Sequence, residues 1–238
     1  MRLLLISNST NSGEPFLDYP KQNIREFLGR DVKNIIFIPY AAVSFSYDSF
    51  VDKVNERFSE IGYEVKGIHS FDNKQQALER ADAIITGGGN TFHLAKMIQE
   101  LGLIDTIRRR VLSGTPYIGW SAGSNIACPT ICTTNDMPII QPESFKVLNL
   151  IPFQINPHYL DANPQGHAGE TREQRIEEFL RVNRNIYVAG LREGTMLLIE
   201  NESMRLIGPR PCRIFKYGEI PHELNSSDDF SFLLERMI

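Results

Sequence analysis

Four short apolar runs, separated by stretches with helical spacing, restrict the first part of the chain to one kind of architecture. The runs are Leu3 to Ser7, Asn34 to Pro39, Tyr63 to Ile68 and Ala83 to Thr86. Between them lie Pro20 to Leu28, Ser49 to Ile61 and Asn73 to Arg80; the second of these sets Phe50, Val51, Val54 and Phe58 at helical intervals before a stop at Gly62. Strand and helix in unbroken alternation predict an α/β fold with a mostly parallel central sheet flanked by helices, because parallel neighbours need a crossover long enough to be a helix. Ile35, Ile36, Phe37 and Ile38 leave no polar face, as expected of a strand buried on both sides. At 238 residues the chain can build one large core or two small ones. With no internal repeat and no linker-like stretch, residues 1–238 read as a single α/β domain.

The rest of the chain is less regular. Thr115 to Ile118 has strand character and Ile126 to Cys128 can start a helix, while residues 133 to 151 look more strand- and loop-like than helical. Phe153 to Leu160 leads into a polar stretch, Asp161 to Gly169, that contains Pro164 and His167. Thr171 to Val182 restores a helix with Ile176, Phe179 and Leu180 on its inner face, and Ile186 to Leu191 is another buried strand. Residues 196 to 220 read as short strands with turns at Asn201-Glu202 and Gly208-Pro209.

Composition narrows the class of partner. The formal net charge is -4 and the basic residues are scattered, which disfavours nucleic acid. The start, Met1 to Asn8, has one basic residue and too short an apolar core for a signal peptide, and no run approaches the roughly 20 apolar residues that cross a bilayer. Cys128, Cys132 and Cys212 are odd in number and show no metal-ligand spacing with the histidines, so a reduced, cytoplasmic setting and no metal are expected.

Chemistry concentrates at strand ends. Gly119-Trp120-Ser121-Ala122-Gly123-Ser124-Asn125 follows a strand and enters a helix, where a Gly-x-Ser-x-Gly pattern suits a nucleophile elbow. A tight turn built of small residues accounts for the five residues equally well, so partners must decide. Gly87-Gly88-Gly89-Asn90-Thr91-Phe92 follows the strand Ala83 to Thr86 and can aim backbone N–H groups at a phosphate or an oxyanion. Neither Gly-x-Gly-x-x-Gly nor a Gly-Lys-Ser/Thr ending is present, which weakens the phosphate reading. A serine elbow needs a second N–H donor from a neighbouring loop, and Gly88 and Gly89 are placed to offer it. The loop Asn8 to Pro15 suits either ligand contact or simple connection.

Ser121 needs a base and an acid to orient it. Of the five histidines, His158 stands best, at the end of an apolar run and before a polar loop. His93 lies in the first turn of a helix, and His69 and His222 carry no signal. His167 could touch substrate, or simply be solvated. Glu193 also lies at a strand end, just before Gly194, although a surface turn acid fits the same position. Ser121, His158 and Glu193, each just beyond an apolar strand, favour catalysis.

Five segments carry a resemblance along nearly the whole chain. They are Gly119 to Asn125, Ile84 to Phe92, Asn135-Asp136-Met137-Pro138, Phe153 to Tyr159 and Glu170-Thr171-Arg172-Glu173-Gln174-Arg175-Ile176. Together they resemble the peptidase E family of α-aspartyl dipeptidases. The resemblance implies a cytoplasmic serine peptidase that removes N-terminal aspartate from Asp-X dipeptides without metal or cofactor. It also implies a fold related to the class I glutamine amidotransferases, whose elbow carries Cys where this chain has Ser121, and a homodimer.

Carried onto this chain, the resemblance implies Ser121 as nucleophile, His158 as general base and then acid, and Glu193 as the group that orients His158. Ala122 and Gly89 would supply the oxyanion N–H groups, with Gly88 and Asn90 as substrate contacts. Arg172 is the expected grip for the substrate β-carboxylate; the alternative is a surface arginine paired with Glu173 or Glu170. Asp136 is expected to receive the free α-ammonium, with loop capping as the alternative. Two other functions compete: a cyanophycinase-like hydrolase of aspartyl linkages, and a non-catalytic protein that keeps an amidotransferase fold.

Overall fold

The computed structural model describes residues 1–163, 165, 166 and 168–235. His167 lies outside the described residues. The alternating segments form β1 (Arg2–Ile6), α1 (Lys21–Leu28), β2 (Ile35–Ile38), α2 (Tyr47–Ser59), β3 (Val65–Gly67), α3 (Lys74–Glu79), β4 (Ala83–Thr86) and α4 (Thr91–Glu100). A further helix, α5 (Ile104–Leu112), precedes β5 (Tyr117–Trp120) and the short α6 (Ala122–Asn125). Sequence reading passed over α5, whose Thr106, Ile107 and Val111 face inward. The elbow helix starts at Ala122 rather than at Ile126. Residues 133 to 151 contain no named strand or helix, and Thr130 and Lys146 form an isolated bridge.

A seven-stranded sheet has the order β3-β2-β4-β5-β1-β8-β9, where β8 is Met196–Glu200 and β9 is Ser203–Ile207. The strands from β3 to β1 are parallel, and β8 and β9 add an antiparallel edge. The central strands are buried on both faces, so their side chains divide between two cores. Leu3, Leu5, Ile36 and Ile38 pack on one side with residues of α4 and α5, while Leu4, Ile6, Ile35 and Phe37 pack on the other with α1 and α2. This explains why β2 reads as a continuous apolar run.

The strands that carry the downstream candidates form a second sheet. Its order is β11-β10-β7-β6, made of β6 (Gln154–Pro157), β7 (Val188–Leu191), β10 (Cys212–Phe215) and β11 (His222–Leu224). Because β8 occupies the edge of β1, β6 and β7 cannot extend the central sheet there. They pair in parallel with each other instead, and Ile155, Ala189 and Leu191 join the core that holds Leu3 and Leu5. The helix α7 (Arg172–Val182) packs Ile176 and Leu180 against Tyr159, Val188 and Phe215. Among the described residues no helix is long and apolar enough to cross a membrane.

Candidate active site

The elbow sits where β5 ends, in the middle of the central sheet. Ser121 has φ 53° and ψ -113°, a left-handed backbone for a residue with a side chain. The strain is held by hydrogen bonds on both sides: Ser121 N–H donates to the Ile6 carbonyl, and the Ser121 carbonyl accepts from Ser124 and Asn125. The flanking glycines serve close approach rather than positive φ. A Cβ on Gly119 would strike the Gly123 carbonyl, and one on Gly123 would strike the carbonyl of Thr86 at the end of β4. Trp120, stacked on Phe37 at 5.7 Å, anchors the strand just before the serine.

His158 and Glu193 arrive from the other sheet. His158 follows β6 and has φ 53°, a second strained non-glycine position. Its Nε2 lies 2.9 Å from Ser121 Oγ, and its Nδ1 lies 2.7 Å from Glu193 Oε1. With Nδ1–H donating to the carboxylate, Nε2 is left as the acceptor for the serine hydroxyl. The His158 and Glu193 side chains are 38% and 42% exposed, so the series opens to solvent on one side and can admit a ligand.

The triglycine loop lies against the elbow. A Cβ on Gly88 would meet Ser121 Cβ at 3.0 Å, and one on Gly89 would strike the Ala41 carbonyl; Gly89 also has φ 139°. Among the described residues, the N–H groups of Gly88, Gly89 and Ala122 donate no hydrogen bond. Asn90 caps α4 by accepting from His93 N–H, and its amide donates to the Met137 carbonyl, so it joins the loop to the segment containing Asp136.

Asp136 Oδ2 accepts from Thr91 N–H at 2.7 Å, from Thr91 Oγ1 at 2.6 Å and from Thr134 Oγ1 at 3.1 Å. That is the capping role held open as the alternative, and it leaves Oδ1 without a partner among the described residues. Arg172 is the first residue of α7, placed by a reciprocal capping box between Thr171 and Gln174. The acids weighed as its partners are engaged elsewhere, Glu170 with Arg175 and Glu173 with Arg213. Among the described residues Arg172 makes no ion pair. Burial lowers its pKa first, with Arg175 adding repulsion and Asp136 an opposing attraction, so Arg172 and Asp136 share one electrostatic environment.

Sequence reading missed Arg192, which has a 9% exposed side chain and binds Asp161 and Glu223 in bidentate fashion. Its guanidinium lies 5.4 Å from the centre of the Tyr159 ring. A charged residue in the apolar-to-turn transition Leu191-Arg192-Glu193 was a usable signal, since a strand-end arginine flanked by buried residues needs acids nearby. The three cysteines are free, and burial pushes the Cys128 and Cys212 thiols up to about 12.

An imidazole linking a hydroxyl to a carboxylate, set at the strand ends of an α/β fold, is the construction of a serine-type hydrolase. Similarity to known proteins gives the class a family. The model for peptidase family S51 matches residues 3–207. Peptidase E of Nostoc sp. is 56% identical over 235 residues, covering 99% of this chain and 97% of its own. Peptidase E of Salmonella newport is 48% identical over 220 residues, covering 92% and 95%. The chain therefore belongs to peptidase family S51, as the resemblance implied. The fold is shared with a peptidase from an acI-B1 Actinobacterium, which superposes with a TM-score of 0.70 at 17% identity over 97% of this chain and 96% of that one.

Proposed function

We propose that this peptidase hydrolyses dipeptides with N-terminal aspartate through a Ser121–His158–Glu193 triad. The observation that carries the reading is the unbroken series from Ser121 Oγ to His158 Nε2 at 2.9 Å and from His158 Nδ1 to Glu193 Oε1 at 2.7 Å. Ser121 Oγ attacks the carbonyl carbon of the Asp-X bond while its proton passes to His158 Nε2. Glu193 stabilises the imidazolium that results. The carbonyl oxygen becomes an oxyanion, and the Gly89 and Ala122 N–H groups receive it. The position of Gly88 beside Ser121 supports this, because the next amide along the chain is that of Gly89. His158 then protonates the departing amine of residue X, leaving an aspartyl ester on Ser121. Water, deprotonated by His158, attacks the ester; aspartate leaves and Ser121 regains its proton.

Arg172 supports the choice of substrate. A guanidinium with no ion pair among the described residues, partly buried and facing the field of Asp136, has a vacant partner position that a β-carboxylate fits. Asp136 Oδ1 completes the pair by receiving the α-ammonium, and Gly88 and Asn90 line the same loop. Action in the cytoplasm and assembly as a homodimer belong to the same reading and rest on family likeness.

The test is a comparison of Asp-Leu, Asn-Leu and Leu-Leu. Asp-Leu should be cleaved far faster than the other two, and Ser121→Ala should abolish turnover with the fold retained. Arg172→Ala should erase most of the preference for Asp over Asn. Equal rates on the three dipeptides, or an active Ser121→Ala variant, would overturn the proposal.

A further inference from the structure

The three triad residues come from three places in the chain, yet one short segment holds the backbone of Ser121 and His158 and that of the residues on either side of Glu193. The Ile6 carbonyl accepts from Ser121 N–H at 3.0 Å. Ser7 Oγ accepts from His158 N–H at 3.0 Å and donates to the Leu191 carbonyl at 2.7 Å. Asn8 Oδ1 accepts from the N–H of Gly194, next to Glu193, at 2.8 Å. Ser7 N–H also donates to the Thr195 carbonyl at 3.0 Å. Ser7 and Asn8 are fully buried, so each contact is made without competition from water.

We propose that Ser7 and Asn8 are positioning residues: they join the end of β1 to the His158 and Glu193 turns and so set the distance between the imidazole, its carboxylate and Ser121. This rests on the triad reading above. Two observations give it direction. First, Ser121 and His158 both have φ 53°, and the N–H group of each is held by consecutive residues of β1 and its end. A strained backbone keeps its conformation only when its surroundings over-determine it. Second, Ser7 is the junction between the sheets. Its hydroxyl spans from the β7 end to the His158 turn, and its N–H reaches the residue before β8. Asn8 is itself fixed, since Tyr19 Oη donates to its carbonyl and to Oδ1, both at 2.8 Å, and its amide donates to Thr10 and Asn11.

The experiment compares steady-state hydrolysis of Asp-Leu and the rate of Ser121 labelling by a fluorophosphonate in Ser7→Ala, Ser7→Thr, Tyr19→Phe and Val54→Ala, well below each variant's melting temperature. Val54 is a buried residue of α2, in the core that holds Leu4 and Phe37, so its truncation destabilises the protein without removing any hydrogen bond of the site. Misplacing a catalytic group by a fraction of an ångström to 1 Å can cost on the order of 100-fold. Ser7→Ala should lower both kcat and the labelling rate about 10- to 100-fold with KM changed less than about twofold, and Ser7→Thr, which keeps the hydroxyl, should recover most of the loss. Tyr19→Phe, which frees Asn8, should lower kcat about 2- to 10-fold, and this variant decides the matter if Ser7→Ala does not fold. Val54→Ala should keep its kcat. Unchanged kcat and labelling in Ser7→Ala or Tyr19→Phe, or losses matched by Val54→Ala, would overturn the proposal while leaving the triad intact. Failure of the triad itself would appear separately, as hydrolysis by Ser121→Ala.

Discussion

Glu193 is the residue at which a single atom change is most informative. It lies 2.7 Å from His158 Nδ1 and, among the described residues, pairs with no Lys or Arg, so the proposed role is to accept one proton-bearing nitrogen. Glu193→Gln keeps the length and shape but can present an N–H to Nδ1, which turns the imidazole to the tautomer with its proton on Nε2. Ser121 then faces a donor instead of a base. We expect kcat on Asp-Leu to fall by on the order of 1,000-fold, with circular dichroism and melting temperature close to those of the parent protein. A loss below tenfold would show that Glu193 does not set the tautomer. At this scale much was legible: Ser121, His158 and Glu193 each follow a buried strand, and that placement alone separated His158 from the other histidines. The state of Asp136 was not legible, because capping and ligand binding use the same carboxylate, and only the three donors on Oδ2 show that this oxygen caps.

Helix starts hold the groups proposed to face the substrate. The α4 start is capped by Asn90 and closed by Asp136, and the α7 start presents Arg172 one residue after its cap. The capping box at α7 satisfies two end groups at once, since Thr171 Oγ1 accepts from Gln174 N–H and the Gln174 side chain accepts from Thr171 N–H. Thr171→Ala should cost about 1 kcal/mol of stability, measured by urea unfolding, because one backbone donor of the first turn loses its partner. If that turn places Arg172 for substrate, the same variant should reduce the Asp-over-Asn preference while sparing turnover of Asp-Leu at saturation; an unchanged preference would uncouple the cap from specificity. The helix itself was legible from Ile176, Phe179 and Leu180, and so were α1 to α4. The helix α5 was harder to see, since Arg108, Arg109 and Arg110 interrupt its apolar spacing and its inward face is carried by only a few residues.

At the scale of the whole molecule, two sheets meet at Ser121, His158 and Glu193, and Arg192 ties the second sheet together. It joins Asp161, just past His158, to Glu223 on β11, and Arg213 continues the chain of charges from Glu223 to Glu173 on α7. Hydrogen bonds from Arg192 hold the Asp161 and Glu223 carboxyls below the usual carboxylate range. A carboxyl whose pKa is lowered on folding adds stability above its unfolded value and loses it as pH falls through the folded one. The network should therefore stabilise the protein evenly between about pH 5 and 8 and fail below about pH 4. Glu223→Gln should cost about 1 to 2 kcal/mol at pH 7, and the difference from the parent protein should shrink towards zero near pH 3, as followed by urea unfolding at both pH values. A penalty that persists in acid would mean packing, not charge, is what Glu223 supplies. The residue order by itself determined the parallel βα core, the elbow and the identity of the groups at the strand ends, since burial on both faces and tight turns restrict local composition. What only the tertiary structure decided is that β6 and β7 leave the central sheet, that Ser7 and Asn8 link the two sheets beneath the site, and that Arg172 makes no ion pair among the described residues. Each of these depends on contacts between residues far apart in the chain, where no local spacing constrains which partner is chosen.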